Sequence, residues 1–166
     1  GALNGYVTSS RTEVIRRNRY VDQTIPFRSR YDYSNMMYAT AGEVAQAASG
    51  VQWEKLFHDR LLKPLGMLET TTDITRFFDS TRFTHCFYSA FPKDPVSITQ
   101  AVPGVDVAMP HMLRDDRVTV IPWQSYDNAV SAGSIISNAT EMAEWLRMLV
   151  GKGRYQGREL IKSETF

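Results

Sequence analysis

The residues best placed to do chemistry lie together in Tyr33-Ser34-Asn35. In an extended segment, side chains two apart point to the same side. The phenol of Tyr33 and the amide of Asn35 can then address one site while Ser34 points away. A phenolate can take a proton from a serine nucleophile or return one to a leaving group. An amide can donate to a substrate carbonyl and accept from a neighbouring lysine. Tyrosine ordinarily has a pKa near 10, so only about 0.1% of it is ionised at pH 7. Work as a base therefore needs positive charge nearby to favour the phenolate. The plainer alternative is structural, with a tyrosine packed at a loop and Asn35 capping the helix that follows.

Other chemistry-bearing residues have weaker spacing. His85 and Cys86 are adjacent but have no third ligand at metal-site spacing, and a half-buried structural cysteine accounts for the pair. His58 follows Glu54 by four residues among polar helix positions and reads as a solvated side chain, while His111 has no spacing partner. Trp123 and Tyr126 could line a substrate wall or pack in the core. Arg11, Arg16, Arg17 and Arg19 make either a solvated basic face or an anion site, with the first as the default.

Several elements must hold these residues in place. Ser10 and Glu13 have capping-box spacing and open a short basic helix that ends near Tyr20. Pro26 then imposes irregular or extended backbone up to Asp32. A longer helix runs from Asn35 to about Ser49, with Met37, Ala41, Val44 and Ala48 as its apolar stripe, Glu43 and Gln46 away from it, and Gly50 as its stop. Val51 to about Leu62 is a third helix with Trp53, Phe57 and Leu61 on one side, ended by Lys63-Pro64. The stretch from Glu69 to Gln124 holds five of the seven prolines. It predicts loops, a short helix near Asp73 to Phe78, and a hairpin turning at Arg114-Asp115-Asp116-Arg117. A last helix starts at Asn138, capped by spacing to Glu141. Its expected buried face is Met142, Trp145, Leu146 and Leu149, and Gly151 and Gly153 end it. Ser163 to Phe166 resembles the opening of another helix.

Composition limits the function classes. A chain of 166 residues, 43% hydrophobic and 22% charged, can fold around a real core. A net charge of +1 argues against a dedicated nucleic-acid binder. No apolar run approaches the roughly 18 residues of a membrane span. One cysteine excludes an internal disulfide framework and a multi-cysteine zinc site.

The context of Tyr33-Ser34-Asn35 resembles the serine β-lactamase-like hydrolases. That group holds class C β-lactamases, D-alanyl-D-alanine carboxypeptidases (penicillin-binding proteins) and related esterases. Tyr-x-Asn opens a helix in that family, as in Tyr31 to Gly42 here. Ala48-Ser49-Gly50-Val51-Gln52-Trp53 is similar to its Ser/Thr-Gly-then-Trp block, and Pro64-Leu65-Gly66-Met67 followed by Thr70 or Thr71 to its Pro-Leu-Gly-Met-x-x-Thr. Ala132-Gly133-Ser134-Ile135-Ile136-Ser137 and Glu141-Met142-Ala143-Glu144-Trp145-Leu146 resemble two further blocks. Ser134 departs from the usual second glycine and Glu141 from the usual aspartate.

The resemblance implies a fold that is mainly α with a few short strands: the helical subdomain of the β-lactamase/transpeptidase-like α/β fold, with most of the sheet absent. Residues 1–166 would then be a partial catalytic domain. It also implies Tyr33 as general base or acid and Asn35 as the partner of substrate and lysine, within an acyl-enzyme mechanism. Neither a metal nor an organic cofactor is expected. Substrates would be β-lactams, D-amino-acid peptides or esters, with no nucleic acid and no membrane span. The family's Ser-x-x-Lys, which carries the nucleophile, does not occur here. Ser89 has Lys93 four residues on, the wrong offset, and neither Lys-Thr-Gly nor His-x-Gly is found. The chain alone is therefore expected to be an inactive internal fragment. The alternative is a non-catalytic scaffold that self-associates through exposed apolar surface. Light scattering checks this: oligomers or aggregates are expected, and a stable monomer would favour an independent domain.

Overall fold

The computed structural model describes residues 10–77, 106–121 and 129–166. Helix α1 (Arg11–Asn18) leads through irregular backbone to α2 (Asn35–Ser49), which Gly50 stops in a left-handed conformation (φ 69°). Then come α3 (Trp53–Phe57), a wider π-type turn over His58–Leu62, α4 (Lys63–Leu65) and a 3-10 turn at Ile74–Arg76. Strands β1 (His111–Arg114) and β2 (Arg117–Val120) form one antiparallel hairpin. After α5 (Val130–Gly133) and α6 (Ala139–Val150), β3 (Arg154–Tyr155) and β4 (Arg158–Glu159) form a second. A 3-10 turn at Ser163–Thr165 follows. The architecture is mainly α with short strands, as expected.

Local signals account for most of these bounds. The Ser10 hydroxyl accepts from the Glu13 N–H at 3.3 Å. Glu13 does not complete the capping box; its carboxylate takes hydrogen bonds from Arg16 (2.6 Å) and Arg17 (2.7 Å), which hold its pKa at about 2. Arg11 pairs with Glu54 on α3 and lies 3.9 Å from Glu43 on α2. These three arginines are thus matched by the chain's own acids, and Arg19 donates from Nε to the Arg16 carbonyl at 2.8 Å. Asp115 and Asp116 both take positive φ (49° and 57°), the two-residue turn that suits the twist of a tight hairpin.

Lys63-Pro64 was expected to end the third helix, yet the helical path continues to Leu65 and stops at Gly66 (φ 75°). Proline clashes with the carbonyl four residues back in a regular helix. The wider turn just before it opens the backbone there, with the Lys63 N–H reaching the His58 carbonyl.

One core cluster gathers Leu62, Leu65, Met67, Met148 and Tyr155, with Phe57, Trp145, Leu149, Leu160 and Ile161 packed around it. On α6 the buried face is therefore rotated from the expected one. Met148 is fully buried, Trp145 and Leu149 are half-buried, and Met142 and Leu146 are exposed. Glu144 falls on the packed side, where its carboxylate accepts from the Tyr155 hydroxyl at 2.6 Å and ties the second hairpin to the helix.

Helix α2 is turned as well. Met37 and Val44, expected inside, are 52% and 63% exposed, and Ala41 and Ala48 face solvent too. Met36, Ala39 and Gly42 are the buried positions. The reason is what α2 meets on its packed side, where α1, α3 and α5 converge. Gln46 accepts from the Trp53 N–H at 3.1 Å, Glu43 approaches Arg11, and Gly42 leaves a notch that Ser131 of α5 enters. A Cβ on residue 42 would lie 2.6 Å from Ser131 Cβ and 2.2 Å from its Oγ. Rotation of the hydroxyl relieves only the second contact. Gly42→Ala is therefore expected to destabilise the fold by about 1–3 kcal/mol in urea unfolding, despite alanine's advantage of about 1 kcal/mol in a helix. Adding Ser131→Gly should recover most of that loss. A neutral Gly42→Ala variant would show that the two helices part at no cost.

Candidate active site

The site is built where irregular backbone enters α2. Ser34 is the helix cap, in extended geometry (φ −141°, ψ 112°). Its hydroxyl makes no capping bond; its carbonyl accepts from the N–H groups of Met37 (3.1 Å) and Tyr38 (3.4 Å). Tyr33 lies just outside the helix and Asn35 is its first residue. The structure brings these two side chains together, with the Tyr33 hydroxyl donating to Asn35 Oδ1 at 2.8 Å. Asn35 thus spends its carbonyl on the phenol rather than on the helix end, and its Nδ2 remains available as a donor. Tyr33 is 58% exposed, so its oxygen is accessible to an approaching group. The Tyr33 ring also meets the ring of Tyr38, with centroids 5.7 Å apart.

Two further blocks of the sequence are drawn onto this helix and its neighbours. Ser131, just before Ala132-Gly133-Ser134, donates from Oγ to the Tyr38 carbonyl at 2.9 Å and so ties α5 to the first turns of α2. Ser134 needs no glycine-type backbone (φ −93°). It is buried, and its hydroxyl makes no hydrogen bond to the described residues. Thr71 forms an antiparallel bridge with Ile136, its N–H and carbonyl both used (3.0 and 2.8 Å).

Sequence reasoning missed what Glu141 does. Asn138 caps α6 as expected, accepting from the Glu141 N–H at 2.9 Å. The Glu141 carboxylate reaches across the chain instead of back to the cap. It accepts from the N–H groups of Glu69 (2.8 Å) and Thr70 (2.7 Å) and from the Thr70 hydroxyl. Thr70 Oγ1 also lies 2.7 Å from Ser137 Oγ. Of Thr70 and Thr71, it is Thr70 that stands at the family spacing and closes this network. Adjacent free N–H groups after a glycine turn, and an acid three residues past a cap, were the available signals.

His58 is exposed, with Nδ1 3.0 Å from Asp59 Oδ1, as a solvated side chain would be. His111 lies exposed on β1 opposite Val120. His85, Cys86, Ser89, Lys93, Trp123 and Tyr126 lie outside the described residues. No helix among the described residues is long and apolar enough to cross a membrane.

Residues 4–165 match the Beta-lactamase family, and the chain belongs to it. The fold agrees: the octameric penicillin-binding protein homologue from Pyrococcus abyssi superposes with a TM-score of 0.61 at 20% identity, covering 98% of this chain and 32% of that one. Curated relatives include an unguisins hydrolase, ungD, of Aspergillus violaceofuscus, 23% identical over 150 residues. A second, ungD′ of Aspergillus campestris, is 24% identical over 153 residues. Each alignment covers 90% of this chain but 23% and 24% of the respective relative. The chain therefore spans about a quarter of the length of the curated relatives it matches.

The Glu141 network carries a pH signature. Burial pushes its carboxyl up, but hydrogen bonds from the Thr70 side chain and from backbone N–H groups outweigh that and lower its pKa. A lowered folded pKa contributes stability that is present above the ordinary carboxylate range and is lost as pH falls through the folded value. Glu141→Gln is expected to lose about 1–2 kcal/mol near neutral pH, a reduced figure because the site is partly open to water. The gap to the parent chain should close in acid. Denaturant melts from pH 7 to pH 3 measure it, and a gap that stays constant would count against the network.

Proposed function

We propose that this chain forms the helical side of a serine hydrolase site in which Tyr33 is the general base and acid and Asn35 orients substrate. The observation that carries the proposal is the 2.8 Å contact between the Tyr33 hydroxyl and Asn35, exposed at the start of a helix in a chain of the Beta-lactamase family. Both curated relatives are named as hydrolases. The nucleophile, a serine of Ser-x-x-Lys with its lysine, comes from sequence beyond these residues.

In the proposed reaction the Tyr33 oxygen takes the proton from the serine hydroxyl as the serine oxygen bonds to the substrate carbonyl carbon. That proton passes to the leaving nitrogen or oxygen as its bond to the carbonyl breaks, which leaves an acyl-enzyme. Water then attacks the ester carbonyl as Tyr33 takes its proton; the bond from that carbon to the serine oxygen breaks, the proton returns to the serine oxygen, and the carboxylic acid is released. The lysine charge supplies what a tyrosine base requires, by favouring phenolate over phenol. As the phenol, Tyr33 donates to Asn35 Oδ1; as the phenolate it accepts from the lysine instead, which leaves Asn35 Oδ1 to accept from that lysine and Nδ2 to donate to the substrate carbonyl. β-Lactams, D-amino-acid peptides and carboxylic esters all present the acyl carbon this scheme needs.

A second function is favoured by one observation. Met37, Ala41, Val44 and Ala48 leave an exposed apolar strip along α2, which would suit a scaffold that self-associates. The octameric state of the Pyrococcus abyssi homologue is in keeping with association.

One pair of experiments separates the two. In the longer hydrolase, Tyr33→Phe is expected to lower kcat by about 10²–10⁴-fold, the usual range for losing a general base. The 166-residue chain alone should give no covalent adduct with a fluorophosphonate or a reactive β-lactam by intact mass. Unchanged turnover in Tyr33→Phe would refute the catalytic assignment, and a stoichiometric adduct on the short chain would reveal a nucleophile within it.

A further inference from the structure

Tyr33 stands one residue before the cap Ser34, and Tyr38 is the fourth residue of α2. These are the two ends of a hydrophobic staple, in which a residue ahead of the cap packs on the first turn and fixes how the chain enters the helix. Here both ends are tyrosines, their ring planes tilted by 42° at a centroid distance of 5.7 Å, within the favourable range for aromatic pairs. A staple ordinarily orders backbone. In this chain its outer end is the phenol that meets Asn35, so whatever sets the Tyr33 ring also sets the direction of its hydroxyl.

The backbone of the inner end is held, while the Tyr38 ring is itself 54% exposed. The Tyr38 carbonyl accepts from Ser131 Oγ at 2.9 Å, and Ser131 sits in the notch above Gly42. Tyr33, like Tyr38, is too exposed for core packing to fix it. Its orientation therefore depends on the ring of Tyr38 and the amide of Asn35.

We infer that Tyr38 is a positioning residue for Tyr33, acting through the contact of its ring; this rests on the catalytic role proposed above. The whole line runs from α5 through Ser131 to the backbone of Tyr38, across the two rings, and out to the hydroxyl at Asn35. Its function is to hold a proton-transfer atom on an open surface, where small errors of placement are costly.

The test reads position and turnover separately. In the longer hydrolase with isotope-labelled aromatic rings, nuclear Overhauser contacts between the two rings and the chemical shifts of the Tyr33 ring report placement. Both should persist in Tyr38→Phe and be lost in Tyr38→Ala. In the longer hydrolase, Tyr38→Ala is expected to lower kcat about tenfold with KM within about twofold, while Tyr38→Phe stays within about twofold of the parent. Circular dichroism confirms that each variant is folded. If Tyr38→Ala unfolds, Tyr38→Leu takes its place, with loss expected for leucine and not for phenylalanine. Unchanged Tyr33 ring signals in the alanine variant overturn the inference, as does an equal loss of kcat in Tyr38→Phe. Displaced Tyr33 signals with unchanged turnover would uphold the staple and overturn the catalytic role of Tyr33.

Discussion

The carboxylate of Glu141 is the contact on which the tertiary arrangement turns. A loop leaving a helix at a glycine presents backbone N–H groups that no helix can satisfy, and Glu69 and Thr70 do so after α4. One side chain from α6 supplies acceptors for both and for the Thr70 hydroxyl. That single residue joins segments about seventy positions apart and seats α6 beside Leu62, Leu65 and Met67. The neighbouring Thr71–Ile136 bridge continues the seam toward α5. Unpaired N–H groups in that half-buried loop would be costly, so the seam is a requirement of the turn as well as a link.

From the seam, position passes to the candidate site through small residues. Segment 130–137 places α5 against α2, and contact is close because Gly42 has no side chain to hold the helices apart. Ser131 then bonds to the backbone of the helix that carries Asn35. The Tyr33–Asn35 pair is thus held at a helix start, with Tyr33 exposed and Asn35 half-buried. Met37 and Val44 are exposed on the same helix.

Much of this was legible in the residues. Capping spacing located the starts of α1 and α6, Gly50 ended α2, and two adjacent aspartates marked the hairpin. Tyr33 and Asn35 were readable as a pair because two residues are a short enough span for local geometry to decide. Rotation of the helices was not legible. Helix α2 is so rich in alanine that several faces satisfy an apolar stripe, and polar contacts from Glu43 and Gln46 chose among them. On α6, Met148 won the interior over Met142 and Leu146 because Glu141 and Glu144 were both needed on the packed side.

The sequence by itself determined the starts of α1, α2 and α6, the family and the pairing of a phenol with an amide, since each rests on spacings of a few residues or on ordered blocks. Tertiary structure decided which face of each helix is buried and that the Thr70 hydroxyl meets Glu141. Those outcomes depend on contacts between residues distant in sequence and on the volume that each neighbour leaves free. Periodicity along a single helix carries no information about either.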